Sequence, residues 1–286
     1  MATQPEYRGR FAPSPTGPLH VGSLLTAVAS YLDARSASGT WLLRIEDIDP
    51  PREVPGAADS ILRSLEAHGL YWDETELYQS TRLEAYAEAL DELTECGDVF
   101  RCCCTRATLG PGGSCLKRCS PTLEDVTALR VCLLGNAGFD DRILGPQQPK
   151  HGANDLVLRR KDNLYAYALA VVVDDAWQSI TDVVRGEDLL FQTFAQLELL
   201  AQLKAEQPSY AHVPVVCDAS GIKLSKQAGA TAIDDKAALK NLRKVLELLC
   251  QDSAQLHAGS TRELLELATS LWNPQALQAR RALVYP

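Results

Sequence analysis

The chain has 286 residues, a formal net charge of −9, 46% apolar and 23% charged residues, enough for one large α/β domain with a smaller insertion and ordinary for a soluble globular protein. No run approaches membrane-spanning length and no apolar leader opens the chain, so neither a span nor a signal peptide is expected, and the cytoplasm is the expected compartment. The acidic balance excludes a protein that coats nucleic acid indiscriminately, while leaving room for a local basic strip that contacts RNA.

Residues 7–12 read as a short strand and 13–19 as a Pro/Gly loop. Over 21–37, apolar residues recur at 21, 24, 25, 28, 31 and 32, the spacing of one buried helix face. Gly39 supplies a stop, and 41–45 reads as a strand. The opening is therefore β–loop–α–β, an order that favours a parallel pair with a right-handed crossover. Helices follow over 57–68, ending at Gly69, and over 81–96, with Ser80 as N-cap.

The stretch 98–155 changes character, being rich in Cys, Gly and Pro, and reads as an insertion. Regular structure resumes at 155–160, turns at 161–163 and continues over 164–173, a hairpin pattern. A helix near 188–204 precedes a strand at 212–217 and a tight turn at 218–221. The last fifty residues read as largely helical.

Nine cysteines without a secretory leader point to metal or free thiols before disulfides. The spacing Cys102-x-Cys104-x10-Cys115-x3-Cys119 puts four thiolates on two short arms, which suits a closed tetrahedral site. Four free thiols in a loop is the weaker alternative, because such density invites oxidation. Cys103 points away from a Cys102/Cys104 pair on extended chain and is left out. With no open position, the metal is expected to be structural.

Two further motifs carry chemistry. Arg10-Phe11-Ala12-Pro13-Ser14-Pro15-Thr16-Gly17-Pro18-Leu19-His20-Val21-Gly22 runs from a loop into a helix start, a natural seat for phosphate. Gly221-Ile222-Lys223-Leu224-Ser225-Lys226 places two lysines around a small hydroxyl residue after a turn. In this order, with Arg44-Ile45-Glu46-Asp47-Ile48-Asp49 between them, they resemble the HIGH and KMSK signatures of class I aminoacyl-tRNA synthetases, glutamyl branch. The resemblance covers about residues 7–240. Gln227, where relatives often carry a basic residue or serine, and Ala168, where they often carry a polar one, depart from the pattern.

The resemblance implies a Rossmann-like α/β catalytic domain in two halves, 1–97 and 156–235, with a zinc-bearing insertion at 98–155 and a helical tail at 236–286. It implies that His20 and Lys226 act on the ATP phosphates, with Lys223 in support, and that the backbone at Gly22 underlies the adenosine. Arg10, Ser14, Glu46, Tyr167 and Arg185 match positions that contact glutamate. Arginine suits carboxylates through its planar fork and Glu46 suits the ammonium, and which arginine takes which carboxylate stays open. The cysteine set resembles the structural zinc site of the short enzymes that attach glutamate to the queuosine base of tRNA(Asp), and the 52–58 run is familiar from the same group. One zinc per chain, magnesium with ATP, a monomer, and ATP, L-glutamate and queuosine-bearing tRNA(Asp) as partners are expected. A minimal enzyme charging a 3′ end, or a silent tRNA- or glutamate-binding paralogue, are the alternatives.

Overall fold

The computed structural model describes residues 6–105, 107–109, 113–150, 152–217, 231–251, 257–278 and 282–285. Arg8–Phe11 (β1) leads through the Pro/Gly loop into Val21–Ser36 (α1), which returns the chain to Thr40–Ile45 (β2), parallel to β1 with Arg10 opposite Leu42. Leu24, Leu25, Val28 and Leu32 are buried, as their spacing predicts. The helix stop is shared: Ser38 takes the left-handed conformation (φ 55°), while a Cβ on Gly39 would lie 2.5 Å from the Tyr7 carbonyl oxygen. Close approach of β1 therefore demands the glycine.

Ala57–Ala67 (α2) ends at Gly69, which has φ 76°. Leu77–Tyr78 (β3) pairs with β2, and Leu83–Glu95 (α3) follows a 3-10 turn at Gln79–Arg82. Ser80 is not the N-cap of α3. It lies inside the 3-10 turn, and its hydroxyl donates to Asp47 Oδ2 at 2.6 Å.

Val99–Cys102 (β4), Ala128–Leu133 (β5), Phe139–Asp141 (β6), Gly145–Gln147 (β7) and Asn154–Arg159 (β8) come next. The stretch read as one insertion divides between two sheets. β4, β5 and β8 form a three-stranded antiparallel sheet, whereas β6 joins the main sheet beside a later strand.

Tyr167–Trp177 (α4) corrects the predicted hairpin: 167–173 is helix, not a second strand. The run Leu169 to Val172 is buried all round, and a short apolar run without alternation fits a buried helix as well as a buried strand. Asp182–Gly186 (β9), Leu190–Gln202 (α5) and Ser209–Val213 (β10) complete the main sheet. The strand expected over 212–217 breaks at Pro214, which has no N–H to donate. Beyond it, Val215–Cys217 (β11) pairs instead with Ala282–Val284 (β12), after Ala238–Leu248 (α6) and Thr261–Ser270 (α7). The tail is thus mainly helical but closes on a strand. The turn at 218–221 and the lysine motif lie outside the described residues.

The main sheet has the order β3-β2-β1-β9-β10-β6-β7, parallel except for the β6–β7 hairpin. Side chains alternate between its two faces. Trp41, Leu43, Val184 and Ala211 pack in one apolar core with α1, α6 and α7, while Leu42, Val183 and Tyr210 pack in the other with α3, α4 and α5. This is the Rossmann-like, two-faced sheet implied by the sequence. From β1 the chain winds outward to β2 and β3 on one side, and from β9 to β10 on the other. The crevice beyond the carboxyl ends at that switch point is where such sheets bind ligands.

Candidate active site

Strand ends deliver the polar side chains to this crevice. Arg10 is near the end of β1, Glu46 directly follows β2, Arg185 is near the end of β9, and Tyr167 opens α4. These four line a cleft of about 1430 Å3, together with Ser14, His20 and Gly22 from the loop and the first turn of α1. The sequence therefore brought together every proposed substrate contact that falls within the described residues. Lys223 and Lys226 lie outside them.

His20 is the N-cap of α1. Its Nδ1 accepts the main-chain N–H bonds of Gly22 (3.1 Å) and Ser23 (3.3 Å), while Ser23 Oγ accepts from the His20 N–H (2.8 Å). A ring that accepts at Nδ1 carries its proton on Nε2, so the remaining nitrogen is a donor. The same residue thus fixes the helix start and carries a donor on its other ring nitrogen.

Burial makes the charge balance exacting. Arg10 is 3% exposed and Arg44, on β2, is 0% exposed. Both point at Asp175 on α4: Arg10 Nε and Nη2 donate to Oδ1 and Oδ2 at 3.0 and 3.1 Å, and Arg44 Nη1 lies 2.8 Å from Oδ1. The two arginines overcome burial and hold the Asp175 carboxyl below the usual range. Arg44 also donates to Gln178 Oε1 at 2.8 Å and lies 3.6 Å from Glu46 Oε1. Asp174, its neighbour, accepts from Gln79, Arg82 and Tyr86 at 2.9, 3.1 and 2.6 Å. Neither aspartate figured in the sequence reading. Their signal was present, as two adjacent acids inside an apolar run from 168 to 176.

Glu46 responds to the same burial. Its carboxyl is pushed up to about 7, chiefly by desolvation and against the pull of Arg44 and Arg10. Oε1 has no hydrogen-bond partner among the described residues. Tyr167, half-buried at the cleft, has its phenol raised by desolvation and by the field of Glu46. Arg185 is tied by Nε to His212 Nε2 (3.1 Å) and by Nη2 to Thr193 Oγ1 and Gln196 Oε1 (2.7 Å each).

The four cysteine sulfurs of the predicted metal set, Cys102, Cys104, Cys115 and Cys119, all lie within 4.8 Å of one another. Cys115 Sγ is 3.7 Å from Cys104 Sγ and 3.4 Å from Cys119 Sγ. A metal with bonds of about 2.3 Å to four thiolates sets sulfurs about 3.8 Å apart, so this cluster could hold a metal ion. Cys103 stands outside the cluster. Asp155, at the start of β8, braces the second arm by accepting from the Cys115 N–H (2.7 Å), the Leu116 N–H (2.5 Å) and Arg130 Nε. Cys104, Arg130 and Asp155 also line the cleft, so the cysteine cluster forms part of its wall.

This sheet, with its charged switch-point cleft, is that of an α/β nucleotide-binding fold, and the chain belongs to the class I tRNA synthetases (E and Q), a group of ATP-dependent ligases, whose catalytic-domain model matches residues 6–111 and 126–251. Among curated relatives, the Glutamyl-Q tRNA(Asp) synthetase of Dechloromonas aromatica is 45% identical, covering 98% of both chains. That of Chromobacterium violaceum is 47% identical, covering 93% of this chain and 94% of its own. A glutamate tRNA ligase from Elizabethkingia meningosepticum, solved in complex with its amino acid, shares the fold with a TM-score of 0.78. It is 22% identical, and the match covers 98% of this chain and 67% of that one.

Asp175→Ala should cost on the order of 3 kcal/mol of stability, because it strands two buried guanidinium groups without their shared counter-charge. The shift in urea unfolding midpoint measures this, and an unchanged midpoint would contradict it.

Proposed function

We propose that this chain activates L-glutamate with ATP and passes the glutamyl group to the queuosine base in the anticodon of tRNA(Asp). What carries the reading is end-to-end likeness to relatives named for that activity, joined to a cleft whose charges suit glutamate. In the first step a glutamate α-carboxylate oxygen attacks the α-phosphorus of ATP. A P–O bond forms, the bond to the β-phosphate breaks, and pyrophosphate leaves. The nucleophile is already ionised near neutral pH, so no general base is required. In the second step a hydroxyl on the queuosine cyclopentene ring attacks the acyl carbon, and AMP departs as the hydroxyl proton is lost.

The residues have distinct roles in this scheme. Arg10, Arg185 and Ser14 receive the carboxylates, Glu46 takes the ammonium, and Tyr167 adds a hydroxyl. His20 donates from Nε2 to a phosphate oxygen, with α1 presenting its N-terminal amides. Gly22, in the first turn, underlies the nucleotide. Lys226, supported by Lys223, stabilises charge on the leaving phosphates, and magnesium accompanying ATP shares that charge. Catalysis is then alignment and charge stabilisation. Zinc on Cys102, Cys104, Cys115 and Cys119 is structural, since four thiolates leave no open position. Arg159, Arg160 and Lys161, beside the cleft, offer local positive charge to the RNA backbone.

Three outcomes follow from this assignment. Purified protein should catalyse glutamate-dependent pyrophosphate exchange without tRNA, and Lys226→Ala should slow it roughly a hundredfold, about 3 kcal/mol of barrier; exchange seen only with tRNA added would favour a 3′-end-charging enzyme instead.

Only ionised Glu46 attracts the ammonium, and its pKa of about 7 places the change near neutrality. The KM for glutamate should therefore fall about tenfold from about pH 6 to about pH 8 and then level off, and Glu46→Gln should abolish the slope. A KM that rises with pH would speak against this role.

Metal analysis should find about one zinc per chain, lost in Cys115→Ser and kept in Cys103→Ser. Protein purified without chelator and free of zinc would rule the assignment out.

A further inference from the structure

Behind Arg185 runs a buried chain of groups that the scheme above leaves without a role. Asp141, at the end of β6, accepts main-chain N–H bonds from Ile143 (2.9 Å), Leu144 (2.8 Å) and His212 (3.1 Å). Its Oδ2 lies 2.6 Å from Nδ1 of His212 on β10, and both side chains are fully buried. The other ring nitrogen, Nε2, faces Arg185 Nε at 3.1 Å. Arginine has only donors, so Nε2 must be the acceptor and the ring proton must sit on Nδ1, donated to Asp141. The tautomer is fixed from both ends.

The remaining guanidinium contacts leave little freedom. Nη2 is held by Thr193 and Gln196 of α5, at 2.7 Å each, and the group lies over the Tyr210 ring, 5.3 Å from its centroid. Nη1 is different: it is buried and finds no hydrogen-bond partner among the described residues, while Arg185 lines the cleft. A buried donor left unpaired is costly unless a ligand completes it. Its natural complement is an anionic oxygen, which the side-chain amide of glutamine does not supply.

We propose that Asp141 and His212 are positioning residues for amino-acid selection, fixing the Arg185 fork so that Nη1 is presented to a substrate carboxylate. The inference rests on the reading of Arg185 as a glutamate contact. It adds that the geometry of this contact is set from β10, beside β9, and from β6 beyond it.

The test separates the two jobs of His212. In His212→Asn the amide NH2 can still donate to Asp141, but nothing reaches Arg185 Nε. In His212→Gln the longer side chain restores an acceptor for Nε and gives up the bond to Asp141. Glutamate-dependent pyrophosphate exchange should show a KM for glutamate raised about tenfold in His212→Asn, with kcat and the KM for ATP within about twofold, and most of that loss recovered in His212→Gln. If the two variants behave alike, or glutamate and ATP constants move together, in an active wild-type background, the positioning role is overturned alone. A wild type that shows no glutamate-dependent exchange removes the glutamate reading and this inference with it. Should neither variant fold, Gln196→Met decides, since it removes one Nη2 acceptor whose own Nε2 has no partner among the described residues. A rise of about threefold in glutamate KM supports the proposal, and an unchanged value overturns it.

Discussion

The site depends on one electrostatic constraint: arginines buried beside the cleft must be kept charged and held in place by a counter-charge within the fold. Burying a guanidinium costs several kcal/mol unless a counter-charge is built beside it. Here Asp175 supplies that charge to Arg10 and Arg44 together, reaching across from α4 to β1 and β2. The same burial leaves Glu46 poised near neutrality, since its two arginine neighbours only partly offset desolvation. Asp174 then anchors the helix from behind through Gln79, Arg82 and Tyr86. One pair of adjacent acids thus ties the catalytic sheet to its flanking helices and sets the polarity of the cleft.

Sheet topology explains why these groups converge. Parallel strands end on one side of the sheet, and the switch between β1 and β9 opens a crevice where a side chain from each strand end arrives without distortion. The N-terminus of α1, capped by His20, opens onto the same crevice. The small antiparallel sheet forms another wall, in which Asp155 connects the second cysteine arm to Arg130. Through that contact a metal held by the cysteines would stiffen a surface of the cleft as well as a loop.

Much of this was legible in the residues because several local signals agreed. The β1–α1–β2 opening showed in the 3.6-residue period and the glycine at its end, and the cysteine spacing placed four sulfurs that do cluster. The reading failed where periodicity is blind: the run from 168 to 172 is buried on every side, so strand and helix look alike until the structure shows α4. Pro214 was a visible breaker that was passed over, and it sends β11 to a different partner. The hidden parts of the site are long-range pairings. Asp175 lies 165 residues from Arg10, and Asp141 lies 71 from His212. No local pattern announces which charges will meet, although paired acids in an apolar helix signal that something must neutralise them.

In the proposed reaction the choice of acceptor is the decisive issue, because the same adenylate chemistry serves a 3′-terminal ribose or a modified base. Unstacked anticodon bases are accessible to protein, so a cleft of this kind can face them directly. Transfer of radiolabelled glutamate should be measured on tRNA(Asp) isolated with and without queuosine, alongside tRNA(Glu). Glutamylation of the modified base predicts label on the queuosine-bearing tRNA(Asp) alone; label on both forms of tRNA(Asp), or at the 3′ end of tRNA(Glu), would contradict it.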